Sequence, residues 1–187
     1  PAYLHITSNN TIRGTEYPTY PEVGDVPLIC DMSSDIFSRR VDFSKFALIY
    51  AGAQKNIGPA GVTLAVMRKD MLERVPEGLS TMMSYKTHAS KGSMFNTPPC
   101  FAIYVVGQVF RWLQENGGLG WIEDRNRTKA GLIYEVIDST EFYRGTVDQD
   151  SRSLMNITFR LPSEELEARF IPRSVASAMN RASSSSL

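Results

Sequence analysis

The chain has 187 residues, 42% of them apolar, enough for one domain or one and a fraction with its own core. Twenty basic residues balance twenty acidic ones, which removes the electrostatic case for a nucleic-acid or membrane surface, and two histidines with two unclustered cysteines argue against zinc. No apolar run nears the roughly 20 residues of a membrane span and no signal-peptide pattern opens the chain, so the expected location is cytoplasmic, with Cys30 and Cys100 as buried thiols of a reducing compartment.

In chain order, Tyr3-Leu4-His5-Ile6 reads as a strand running into the polar stretch Thr7 to Gly14. Val26 to Cys30 is a second strand, closed by Asp31 and followed by Met32-Ser33-Ser34 and a short helix suggested at Asp35-Ile36-Phe37. Phe46 to Tyr50 is a third, opening into the glycine-bounded loop Ala51 to Gly61. Val62, Leu64 and Val66 alternate as a strand, Lys69 to Arg74 suggests a short helix broken by Pro76 and Gly78, and Glu77 to Gly92 reads as a polar loop.

Thr97 and Pro98 have the chemistry of an N-cap and a first helical position, so a helix is predicted from Pro98 to Asn116. Phe101, Val105, Val109 and Trp112, with Ile103, Phe110 and Leu113, form its predicted apolar stripe, with Trp112 in the core, and Gly117-Gly118 ends it. Leu119 to Ile137 is a second long helix, with Ile122, Leu132, Ile133 and Val136 on its apolar side. Phe142 to Arg144 and Met155 to Arg160 read as strands, Ser163 caps a further helix, and the serine-rich end is expected to be disordered. No internal repeat is visible.

The chemistry concentrates at three strand ends. Lys55, just past one of them and among small residues, is placed to form an imine, which requires its neutral amine in a tight, partly desolvated site or beside a cation. The bland alternative is a solvated surface charge. In an open α/β sheet, ligands bind outside the carboxyl ends of the strands, so Asp31 and Lys55 can meet over one crevice. Asp31 facing a pyridinium nitrogen would keep that nitrogen protonated, as the electron sink of pyridoxal phosphate requires; its alternative is an ordinary cap. Thr11 could donate to a phenolate oxygen or a phosphate, while Asn9 and Asn10 suit a turn. The amides after Thr97, with the Asn96 and Thr97 side chains, suit a phosphate or plain helix initiation. A P-loop is excluded, because Lys55 precedes Gly58 and Gly61 and is followed by Asn56. A desulfurase would need a mobile nucleophilic cysteine, and neither Cys30 nor Cys100 sits in an obvious loop for one.

Four strings carry a resemblance: Ser8 to Gly14; Asp31-Met32-Ser33-Ser34 with Ser38-Arg39; Ala53-Gln54-Lys55-Asn56-Ile57-Gly58-Pro59-Ala60-Gly61; and Gly92 to Pro99. From about Leu4 to about Arg160 the chain resembles the phosphoserine aminotransferases, class V pyridoxal-phosphate enzymes of fold type I. The resemblance implies an α/β fold: residues 1–125 as the C-terminal half of the large cofactor-binding domain, 126–171 as a linker helix and partial α+β small domain, and 172–187 as tail. It implies Lys55 as Schiff-base lysine and proton carrier, Asp31 at the pyridinium nitrogen, Thr11 near the ring oxygen, and Gln54 at the cofactor phosphate. Asn96 and Thr97 would reach the phosphate of the neighbouring subunit's site, making the enzyme a homodimer without a metal.

The implied reaction moves an amino group between glutamate and 3-phosphohydroxypyruvate, giving phosphoserine and 2-oxoglutarate; some members also serve vitamin B6 synthesis. The match lacks the family's N-terminal half, including the ring that stacks on the cofactor and part of the phosphate cup. The late His-Arg segment is also missing, and Arg173 and Arg181 fall out of register with the substrate arginine. The alternatives are a noncatalytic remnant or interaction fragment that keeps a dimerisation surface, or another class V aminotransferase.

Overall fold

The computed structural model describes residues 1–170, so the expectation for the serine-rich end lies outside the described residues. The strands are β1 (Leu4–Thr7), β2 (Asn9–Asn10), β3 (Thr15–Glu16), β4 (Leu28–Asp31), β5 (Leu48–Gly52) and β6 (Thr63–Met67). The helices α1 (Lys69–Glu73), α2 (Tyr85–Ser90), α3 (Cys100–Glu115) and α4 (Gly118–Asp138) follow, and then the short pair β7 (Arg144–Gly145) and β8 (Phe159–Arg160).

Four strands form one sheet in the order β1-β4-β5-β6, with the first three parallel and β6 antiparallel. The register places Thr7, Asp31 and Tyr50 on one rung, so three loops leave the sheet at the same level. Side chains alternate between faces along a strand, and the rung before it, Ile6, Cys30 and Ile49, is buried. Met32, Ile36, Phe46, Ile57 and Val106 of α3 complete that core, while Phe37 meets the half-buried Phe110 edge to face at 5.1 Å.

The predicted strands, α1 and the two long helices form, with several corrections. Helix α3 starts at Cys100 with Pro99 at the N-cap, not at Pro98 with Thr97 capping. The physical reason is the second proline: a residue before proline is driven out of the helical region, so Pro98 cannot begin the helix. The buried face of α3 is Ala102, Val106 and Leu113, whereas Phe101 is 78% exposed and Trp112 45% exposed, edge-on to Trp121 rather than in the core. A helix apolar on several sides does not reveal its inner face by periodicity. Here close approach decides, since a Cβ on Gly58 would stand 2.6 Å from Val106 Cγ2.

Helix α4 likewise buries Asn126, Ala130 and Ile137, and exposes Leu132, Ile133 and Val136. Two polar anchors choose that face: Asn126 Nδ2 donates to Ser38 O, and Tyr134 Oη donates to Ser153 O. Glu77 to Gly92 is not a plain loop, because it contains a 3-10 turn at Thr81–Met83 and α2, which is too short to show helical periodicity. Asp35-Ile36-Phe37 forms a turn rather than a helix, ended by Phe37 at φ 57°. The late strands shrink to β7 and β8, because the Met155 and Asn156 amides donate to Ser153 Oγ instead of a ladder. Cys30 is buried as expected, but Cys100 is exposed at the start of α3. Ser163 does cap the residues 164–170, its Oγ accepting from Leu166 N. Among the described residues, no helix is long and apolar enough to cross a membrane.

Candidate functional site

Loops from the carboxyl ends of β1, β4 and β5 carry Thr11, Ser34 and Lys55 to one place. Lys55 ends a 3-10 turn, Ala53–Lys55, whose buried Ala53 carbonyl accepts from the amides of Asn56, Ile57 and Gly58. Asn56 Nδ2 donates to Ile36 O at 2.7 Å, fastening the lysine turn to the loop after β4. So held, Lys55 Nζ donates to Thr11 Oγ1 at 2.8 Å and to Ser34 Oγ at 3.2 Å, and the two hydroxyls lie 2.6 Å apart. The result is a triangle of one amine and two hydroxyls. Lys55 is exposed among the described residues, and its amine is met there by two hydroxyls at the sheet edge.

Asp31, half-buried, turns Oδ1 to Ser33 N at 2.8 Å and so caps its own turn. It makes no ion pair with Lys55 among the described residues, and reaches it only through the Ser33-Ser34 turn. The Tyr50 phenol, on the same rung, is held above its ordinary range by desolvation and then by the Asp31 charge. Gly52 N donates to Ser33 Oγ, and Gln54 folds back so that a Cβ on Gly52 would meet its Oε1 at 2.7 Å. Asn96 and Thr97 are exposed, and among the described residues neither is a partner of Lys55.

Two features escaped the sequence. Ser34 is one, a hydroxyl beyond the end of β4 that matches the place of Thr11 beyond β1, which is its one signal in the sequence. Below the triangle in the chain's wiring is a buried cluster. Ser8 Oγ donates to Asp35 Oδ1, Arg39 Nε lies 3.1 Å from Glu16 Oε1, and Arg39 Nη2 donates to Tyr17 O and Tyr20 Oη. Burial pushes Asp35 up to about 6, against the opposing pull of Ser8 and Arg39. Asn9 is buried and not merely a turn residue: Nδ2 donates to Asn156 Oδ1 at 2.6 Å and Oδ1 accepts from Ser153 Oγ. Asn10 makes the expected turn, its Oδ1 accepting from the amides of Ile12 and Arg13.

The profile of the class-V aminotransferases matches residues 1–180. The phosphoserine aminotransferase of Desulfatibacillum aliphaticivorans is 62% identical over 179 residues, 95% of this chain and 50% of that relative. Among solved structures, phosphoserine aminotransferase from Bacillus circulans subsp. alkalophilus superposes with a TM-score of 0.90 at 54% identity, over 94% of this chain and 49% of the other. The phosphoserine aminotransferase of Trichomonas vaginalis, solved with pyridoxal phosphate bound, gives a TM-score of 0.82 at 40% identity, over 87% and 48%. The chain thus spans about half the length of the relatives it matches.

Proposed function

The chain belongs to the class-V aminotransferase family, and we propose that it supplies the lysine-bearing half of a pyridoxal-phosphate site for transamination between glutamate and 3-phosphohydroxypyruvate. The observation that carries the reading is the triangle of Lys55, Thr11 and Ser34 at the carboxyl edge of a parallel sheet.

The residues fit one side of such a cofactor. An accessible amine stands beside two hydroxyls, and a carboxylate ends the adjacent strand. In this assignment Lys55 holds the aldehyde carbon, Asp31 the ring nitrogen, Thr11 the ring oxygen and Gln54 the phosphate. Asn96 and Thr97, exposed before α3, serve the phosphate of a second copy's site, so the working form is a homodimer. Its location is the cytoplasm.

When bound, pyridoxal phosphate supplies an electron sink for the pair left behind as an α-proton departs. Once the substrate's amino group has displaced it from the aldehyde carbon, the freed Lys55 Nζ, in its neutral form, would take that proton from the substrate α-carbon. Thr11 Oγ1 and Ser34 Oγ hold the amine in place, which limits the orientational freedom it would otherwise have to lose. Asp31, negatively charged, keeps a proton on the facing ring nitrogen.

The test is to incubate the chain with pyridoxal phosphate, reduce with borohydride and map the modified peptide, with Lys55→Ala as control. Label confined to Lys55 supports the reading and calls for an assay with glutamate and 3-phosphohydroxypyruvate. Label scattered over many lysines, or none, overturns it in favour of a noncatalytic fragment.

A further inference from the structure

We propose that Asp35 is a positioning residue: through Ser8 it sets the gap between Thr11 and Ser34 in which the Lys55 amine is held. This rests on the reading of Lys55 as the reacting amine. Ser34 adjoins Asp35 in the loop after β4, and Ser8 begins the segment that carries Thr11 after β1. Asp35 and Ser8 are both buried, 3% and 0% exposed, and Ser8 Oγ donates to Asp35 Oδ1. Ser8 also donates from its backbone N to Asp31 O at 3.0 Å, and Tyr17 N donates to Ser8 O. The joint therefore ties one loop to the other one residue from Ser34 and three residues from Thr11, the two hydroxyls that contact Lys55.

A hydrogen bond between buried groups resists small displacements, because leaving either group unpaired in the interior is costly. Thr11 and Ser34 themselves are joined by one contact at 2.6 Å, and a separation of that kind survives only if the loops bearing it keep their spacing. Charged and titratable groups face the carboxylate from the elements packed on it, Arg39 favouring its charge and Glu16 opposing it. Arg39 Nη2 stands 3.9 Å from Asp35 Oδ2, Glu16 of β3 pairs with Arg39, and Tyr20 and Cys30 of β4 also face the cluster. Glu16 Oε2 in turn accepts from Leu154 N, which ties the cluster to the segment before β8. The Asp35 proton leaves near pH 6, so the joint changes charge within an accessible range.

The experiment follows the 13Cε signal of Lys55 by NMR in 13C-lysine-labelled chain without cofactor, from about pH 5 to about pH 7.5, the signal being identified by its loss in Lys55→Arg. The expected result is a step near pH 6 in the unmodified chain, absent in Asp35→Asn. In Ser8→Ala the carboxyl, losing a donor that favours its charged form, titrates at higher pH, and the Lys55 signal no longer follows it. A residue that merely stabilises the fold would leave Lys55 flat. A flat Lys55 signal in the unmodified chain, a step that persists in Asp35→Asn, or a full step in Ser8→Ala overturns the proposal. If Asp35→Asn does not fold, the unmodified chain and Ser8→Ala decide. Because no cofactor is present, the outcome is independent of whether borohydride trapping at Lys55 succeeds.

Discussion

Lys55 Nζ donates to Thr11 Oγ1 at 2.8 Å across a sequence separation of 44 residues. No local pattern relates the two positions. The contact exists because β1, β4 and β5 run parallel in register, so that loops leaving their carboxyl ends converge, and the third corner, Ser34, arrives by the same route.

Replacing the amine tests the centre of the site. Lys55→Arg keeps the positive charge but has no amine able to condense with an aldehyde. We expect borohydride trapping of pyridoxal phosphate at position 55 to vanish while the thermal midpoint stays within about 3 °C, as for an exposed side chain. Peptide mapping and a melting curve read both.

Thr11→Val and Ser34→Ala each remove one hydroxyl from the amine. Each should weaken pyridoxal phosphate retention by about 3- to 10-fold, the equivalent of one ordinary hydrogen bond. Because the two oxygens lie 2.6 Å apart and share Lys55, the double variant should lose less than the product of the single effects. Equilibrium titration by cofactor absorbance measures all three.

Asp35 gives stability a definite pH dependence. Burial raises its pKa from 3.8 to about 6, so the folded chain binds this proton more tightly than the unfolded chain. Its contribution is full below about pH 4 and is lost as pH rises through about 6, totalling about 3 kcal/mol. Urea unfolding of the unmodified chain relative to Asp35→Asn should show that difference shrinking from pH 4 to pH 7.

Gly14 sits at φ 71°, and a Cβ there would stand 2.5 Å from Thr158 Oγ1 and 2.8 Å from Asn156 O. Gly14→Ala combines left-handed strain with overpacking against a backbone carbonyl, and should cost about 2–4 kcal/mol in unfolding free energy. Denaturant titration measures it.

The two thiols should separate by reactivity. Cys100 is exposed, whereas Cys30 is buried and its thiol is pushed up to about 12, chiefly by desolvation. With a disulfide reagent at neutral pH, one equivalent should react quickly, and the second only on unfolding. Mass spectrometry of the fast product should place the label on Cys100.

Much of the site could be read from local order alone. Asp31 at a strand end and Lys55 in a glycine-bounded loop stood out by residue type and place, and the two strands before their loops were legible by their apolar runs. Helix faces were not. Phe101, Trp112, Leu132 and Ile133 are as apolar as the residues that turned inward, and what turned the helices was a close approach of Gly58 to Val106 and the polar anchors Asn126 and Tyr134. The start of α3 was missed for a reason already present in the sequence, the restriction that Pro99 places on Pro98.

The amino-acid sequence by itself determined the four strands of the main sheet, the order of the loops after them and the residue types those loops deliver, because propensity and periodicity act over a few neighbours. Tertiary structure alone decided that Thr11, Ser34 and Lys55 form one triangle, that Ser8 meets Asp35, and that Lys55 stands exposed among the described residues. Those outcomes depend on strand pairing and register between distant segments, and on which surfaces of the chain find a partner to cover them.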